Sequence, residues 1–210
     1  EVVLAAIGRV PNTDADWFRS SGLKLDERGY VTVDGYGRTN LDGVWALGDI
    51  TPGHALAHRA FEQGITIAEK IAGADPKPVL DDTVPQVVFS FPEAASVGLT
   101  LDQAKAREDV VEPKETAYPM LSNARMLMSG EGGSMTVVSG AFANNPDMQV
   151  VLGVHIVSPI ASDLIAEAEQ LVGNRVPLAD AARLIHPHPT FSETLGEALL
   201  KADGRPLHTR

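Results

Sequence analysis

The sequence contains no cysteine. That excludes disulfides, thiolate-bound zinc and a thiol nucleophile anywhere in this chain. It also excludes an extracellular scaffold built on disulfides. A glycine-rich phosphate-binding loop is missing as well. Positive charge is scarce: 17 Lys and Arg stand against 28 Asp and Glu, a net charge of −11. Phosphate surfaces are bound by basic patches, so this balance argues against nucleic acid or an anionic membrane as partner. No apolar run approaches the ~20 residues that span a bilayer. The N-terminus has no basic segment followed by a cleavage site and does not read as a signal peptide. There is no internal repeat and no low-complexity tract.

What is present is an ordinary globular composition, 44% hydrophobic and 21% charged. At 210 residues it fills one large domain or two small ones. The apolar run at residues 2–7 reads as a buried strand stopped by Gly8 and Pro11. A chain that begins in mid-strand is expected to be the C-terminal portion of a longer one. Residues 30–34 alternate as a strand, and 44–47 form a compact apolar strand ending at Gly48-Asp49. Residues 55–72 have helical period, with Leu56, Ala60, Ile67, Ala68 and Ile71 on one face, Ile65 off it, and Gly73 as C-cap.

The polar, proline-punctuated stretch at 74–78 marks a domain boundary. Beyond it, strands are expected at 84–90, 116–120, 134–141 and 149–157. Helices are expected near 100–107, 159–173, 177–184 and 192–202. Loops are expected at 129–133 and 144–147. Strands first and helices gathered later make this an α+β domain.

The most informative local motif is His186-Pro187-His188-Pro189-Thr190-Phe191-Ser192-Glu193. A carboxylate at Glu193, in the first turn of a helix, is stabilised there by the helix dipole. Hydrogen-bonded to one nitrogen of His188, it would set the tautomer and make the other nitrogen a general base. On spacing alone the same residues also make an ordinary turn. His186 and His188 could together ligate a metal, but no acidic or cysteine cluster accompanies them at a familiar spacing, so no metal is expected. Gly48-Asp49, leading into a helix, can present a carboxylate and a helix N-terminus to a hydroxylated or anionic ligand. Leu56, Ala57 and His58 would then lie beside a flat ligand. An ordinary strand–turn–helix link reads the same way.

Taken together and in order, these residues resemble one family, the flavin-dependent pyridine nucleotide–disulfide oxidoreductases. Residues 6–13 (Ala6-Ile7-Gly8-Arg9-Val10-Pro11-Asn12-Thr13) resemble the exit from the nucleotide-binding domain. Arg38-Thr39-Asn40 through Val44-Trp45-Ala46-Leu47-Gly48-Asp49 resembles the second flavin motif, and Leu56-Ala57-His58-Arg59-Ala60 with Gly64 the flavin-side helix. Phe91-Pro92-Glu93, Ser96-Val97-Gly98-Leu99-Thr100 and the His-Pro-Thr segment resemble the dimerisation domain. Within the family, His186 before His188 and Thr194 after Glu193 resemble the lipoamide branch more than the glutathione branch, and Leu207-His208-Thr209-Arg210 lacks the cysteine pair in which the mercuric branch usually ends.

The resemblance implies an α+β interface and dimerisation domain at 81–210, preceded by the end of the NAD-binding domain at 1–11 and a second FAD-binding segment at 12–80. It implies that Gly48, Asp49, Leu56, Ala57 and His58 meet FAD, with Asp49 on the ribityl chain. It implies that His188, oriented by Glu193, reaches a partner subunit's redox disulfide in a homodimer and takes a proton from a dithiol, a lipoyl group. Electrons would then pass through FAD to NAD. The His188-Pro189 bond is expected to be cis. The cysteine pair and both glycine-rich loops of the family lie upstream of such a segment, so this chain alone is expected to be inactive and to hold neither FAD nor NAD tightly. The expected compartment is the cytoplasm. The rival reading is a stand-alone, non-enzymatic dimerisation module.

Overall fold

A computed structural model describes residues 1–209. The chain forms two compact units, Glu1–Asp81 and Asp82–Arg210.

In the first unit, helix α1 (Asp16–Ser21) ends on Gly22, whose φ of 79° suits a residue without Cβ. Phe18 from α1 packs with Val31 and Ala46 in a small core, joined by Leu23, Val33 and Ile50. The strands expected at 30–34 and 44–47 shrink to single bridges, Leu25 with Val31 and Arg38 with Trp45. The strand expected at 2–7 is not formed. Val2, Val3, Leu4 and Ile7 are almost fully exposed. A strand is held by its ladder, and among the described residues no segment pairs with this one.

Helix α2 (Ala57–Ile71) lies where the periodicity places it. Gly73 follows with a φ of 86°; its N–H bonds to the Lys70 carbonyl and that of Ala74 to the Glu69 carbonyl. That pair of bonds closes the helix as a Schellman motif. The buried face differs from the expected one. It consists of Arg59, Thr66 and Ile67, while Ala68 and Ile71 face outward. Ile67 packs where Gly37 has no side chain, since a Cβ there would stand 2.7 Å from Ile67 Cδ1. Buried Arg59 donates from Nε to Asp81 at 2.7 Å and from Nη2 to the Pro52 carbonyl at 2.7 Å, while its buried Nη1 has no partner among the described residues. A polar residue therefore takes a position that apolar spacing alone would not select.

The second unit is built on strands β1 (Gln86–Val88), β2 (Glu93–Gly98), β3 (Val110–Pro119), β4 (Ser134–Phe142) and β5 (Asn145–Ser158). They make one antiparallel sheet in the order β1-β2-β5-β4-β3. The helices are α3 (Leu101–Ala106), α4 (Ala124–Ser129), α5 (Ala161–Gly173), α6 (Leu178–Ala181) and α7 (Glu193–Ala202). This is the expected α+β architecture. Strand β2 and helix α4 lie outside the expected elements. The expected turn at 144–147 is a shorter one, because Phe142 already pairs with Asn145.

The main core lies between the sheet and helices α5, α6 and α7, with Tyr118, Met135, Val137, Val154, Ile156, Leu164, Ile165, Leu195 and Leu199 among its buried members. A smaller cluster of Leu99, Ala104, Val138, Val150 and Leu152 forms beside α3. Strict alternation along β5 would put Val154 and Ile156 on the same side as Val150 and Leu152. The register instead shifts between Val138 and Ser139, where β4 skips from Gly153 to Val151 across the sheet. One extra residue on β5 changes the phase and turns Val154 and Ile156 toward the helices. Gly153 sits at that irregularity, where a Cβ would collide with the Leu99 carbonyl.

Candidate active site

The loop between α6 and α7 carries His188, and Glu193 opens α7. The structure brings them together: His188 Nδ1 lies 2.9 Å from Glu193 Oε1. An ionised carboxylate only accepts, so Nδ1–H must donate to it, leaving the Nε2 lone pair outward. The His188 side chain is 72% exposed and that of Glu193 21%. The second carboxylate oxygen accepts the Thr190 N–H at 2.8 Å. Burial acts to raise the Glu193 pKa, but the Thr190 N–H and His188, with a smaller contribution from His186, outweigh it and hold this carboxyl below the usual carboxylate range.

The loop is braced from several sides. Thr190 Oγ1 donates to the Pro187 carbonyl at 2.6 Å and lies 3.0 Å from Ser192 Oγ. Asn123, buried, donates from Nδ2 to the Thr190 carbonyl at 3.0 Å. Its Oδ1 meanwhile accepts the N–H groups of Arg125 and Met126 and caps α4. The Arg125 guanidinium lies over the Phe191 ring, 4.9 Å from its centroid. The His188–Pro189 peptide bond is cis, and so is Phe91–Pro92.

His186 does not join His188. Its Nε2 lies 2.8 Å from Glu167 Oε1 on α5. Among the described residues, no group of three His, Cys, Asp or Glu could hold a metal ion. Asn123 and Glu167 escape a sequence reading because they lie 67 and 19 residues from their partners. No local spacing links such positions.

In the first unit, Gly48 and Asp49 form a short 3-10 turn through Ile50. Gly48 has a φ of 73°, donates its N–H to Gln63 Oε1 at 2.9 Å, and accepts at its carbonyl from Thr51 Oγ1 at 2.8 Å. The turn is thus tied to α2 by Gln63, and Asp49 is exposed beside it. Leu56 stands at the N-cap of α2 without a side-chain cap bond, followed by exposed Ala57 and His58. A helix start, small side chains and a carboxylate on a rigid turn fit a polar ligand that carries hydroxyls and a planar ring. The structure places Gly48, Asp49, Leu56, Ala57 and His58 in the first unit and His188 and Glu193 in the second.

Residues 84–199 match the family described as the dimerisation domain of pyridine nucleotide-disulphide oxidoreductases, and residues 1–64 match another part of those oxidoreductases. The chain is 40% identical over 208 residues to a dihydrolipoyl dehydrogenase of Cupriavidus necator, covering 98% of this chain and 42% of that protein. It is 39% identical over 210 residues to a dihydrolipoyl dehydrogenase of Geobacillus stearothermophilus, covering 99% and 43%. The crystal structure of LpdA from Mycobacterium tuberculosis superposes with a TM-score of 0.83 at 31% identity, covering 94% of this chain and 42% of that one. The chain thus spans about two fifths of the length of the relatives it matches. More than half of its residues match a single domain of one family, so the chain belongs to the pyridine nucleotide-disulphide oxidoreductases and carries their dimerisation domain.

Proposed function

We propose that this chain serves a flavin-dependent dihydrolipoyl dehydrogenase, supplying its homodimer interface and the His188–Glu193 base that acts in NAD-linked oxidation of a lipoyl dithiol. The observation that carries the reading is the hydrogen bond from His188 Nδ1 to a carboxylate held ionised by the Thr190 N–H. In this arrangement Nε2 accepts a proton from a substrate thiol. The resulting imidazolium is stabilised by Glu193 through the bond it already makes. The thiolate so formed is the species that attacks a disulfide. The loop bonds from Asn123 and Thr190 keep the ring and the carboxylate in register while the proton moves.

Residues 1–11 and 12–80 are read as the end of the NAD-binding domain and a segment of the FAD-binding domain, and 81–210 as the interface domain. Asp49 and Gly48 would hold the ribityl chain of FAD, with Leu56, Ala57 and His58 beside the flavin. FAD held there would supply the two-electron redox chemistry that links dithiol oxidation to NAD reduction. The redox disulfide and the glycine-rich loops come from segments other than this one, so the chain alone is inactive. The compartment proposed for the enzyme is the cytoplasm.

The test is His188→Gln in the flavoenzyme that contains this segment. Dithiol oxidation should fall on the order of 10²- to 10⁴-fold, the usual contribution of a positioned base, with flavin content intact. Unchanged turnover would remove His188 from the mechanism.

A further inference from the structure

We propose that His186, anchored by Glu167, is a positioning residue for the His188–Glu193 base: its ring, wedged between α5 and α7, sets where Glu193 stands relative to His188. This inference rests on the base reading above and deepens it.

Three observations carry it. First, the ring is anchored to a second helix. Nε2 lies 2.8 Å from Glu167 Oε1 on α5. The side chain is only 9% exposed. Second, the ring occupies the space of a missing side chain on α7. A Cβ at Gly196 would stand 2.6 Å from His186 Nδ1 and 2.9 Å from Cε1. Gly196 follows Glu193 by three residues on α7, so the two share a helix face, one turn apart. The ring therefore rests on the face that carries the base's carboxylate. Third, only Pro187, with its fixed φ, separates His186 from His188. Movement of the ring is passed directly to the segment that holds His188.

Charge follows the same geometry. The charged groups facing His186 are Glu167 from α5 and Glu193 from α7. The bond to Glu167 raises the His186 pKa, against the opposing effect of burial, with Glu193 adding to the rise. In return, the His186 charge is one of those that keep Glu193 ionised. An ionised Glu193 is what holds His188 in the Nδ1–H tautomer.

The experiment uses three variants that disturb the wedge differently. His186→Gln keeps a donor toward Glu167 but loses ring and charge. Gly196→Ala keeps His186 and displaces its ring. Glu167→Gln keeps the bond and removes the carboxylate. On this chain, NMR follows the Glu193 carboxyl carbon and the His188 ring nitrogens with pH. The Glu193 midpoint should rise in His186→Gln and in Gly196→Ala, and the His188 nitrogens should lose their single-tautomer signature. In the flavoenzyme, kcat for dithiol oxidation should fall on the order of 10- to 100-fold, as expected of a displaced reacting group. KM for the dithiol, flavin content and flavin-mediated reduction of a one-electron acceptor by NADH should stay near wild type.

Variants that match wild type in both the NMR signature and kcat, while His188→Gln is crippled, overturn the positioning role and leave the base reading standing. A silent His188→Gln overturns both. Gly196→Ala and Glu167→Gln keep the inference testable if His186→Gln fails to fold.

Discussion

Replacing Glu193 with Gln tests the site at its most sensitive point. Two N–H groups converge on this carboxylate, from His188 Nδ1 at 2.9 Å and from Thr190 at 2.8 Å. A carboxylate accepts both, but an amide has one accepting oxygen and one donating nitrogen. If the oxygen keeps the Thr190 N–H, the amide nitrogen faces His188. The ring must then turn Nδ1 into an acceptor and place its proton on Nε2, which ceases to be a base. If the oxygen turns to His188, the Thr190 N–H meets another donor and loses its bond. A hydrogen bond to a charged group contributes about 1.5–3 kcal/mol. The high exposure of His188 places the loss toward the lower end. At about 1.4 kcal/mol per factor of ten, dithiol oxidation should drop on the order of 10- to 100-fold. Glu193→Asp, which keeps the charge, should lose less. The assay is dithiol-dependent NAD reduction by the flavoenzyme, with ¹⁵N NMR of His188 in this chain reporting the tautomer. A Glu193→Gln variant with the wild-type tautomer and a rate within about twofold of wild type would refute the reasoning.

Tyr118→Phe should raise stability by about 1 kcal/mol, because its fully buried hydroxyl has no hydrogen-bond partner among the described residues. Burial, with Glu197 and Glu193 nearby, also pushes its pKa up to about 12. A lower urea midpoint for the variant would contradict this. Asn123→Ala removes the α4 cap and the Thr190 anchor together. It should cost about 1–2 kcal/mol and speed hydrogen exchange at Thr190, whereas unchanged exchange there would detach Asn123 from the loop. The pH dependence of His186 runs in one direction. Its folded pKa is raised, so the stability it contributes is complete below the unfolded value of about 6.5 and is lost as pH climbs through the folded one. Denaturation of His186→Gln should therefore show a larger deficit at about pH 6 than at about pH 9, and an equal deficit at both would argue against the charged pair. Glu193 runs oppositely: its lowered pKa gives stability that is present above the ordinary carboxylate range and fades as pH falls through the folded value.

Much of the second unit is legible in the sequence. Apolar period places α5 and α7, and β-branched runs place β4 and β5, because long elements with one buried side carry that period themselves. Strand β2 is harder, since Glu93–Gly98 is short, small in side chain and lies beside a proline. Helix α4 has six residues and rests on the Asn123 cap rather than on a long stripe. The apolar run at 2–7 misleads, because hydrophobicity makes a segment able to pair without supplying its partner.

For the site, the His188–Glu193 pair can be read directly, since five residues and a helix start bring the two groups within reach. Family and fold class are likewise encoded in the order of local motifs. Other features depend on distant chain segments meeting, and no local spacing encodes that. Tertiary structure alone decided that His186 turns away from His188 toward Glu167, that it rests where Gly196 leaves room, and that Asn123 anchors the loop. It also decided, through one extra residue in β5, which side of that strand faces the helices that carry the base.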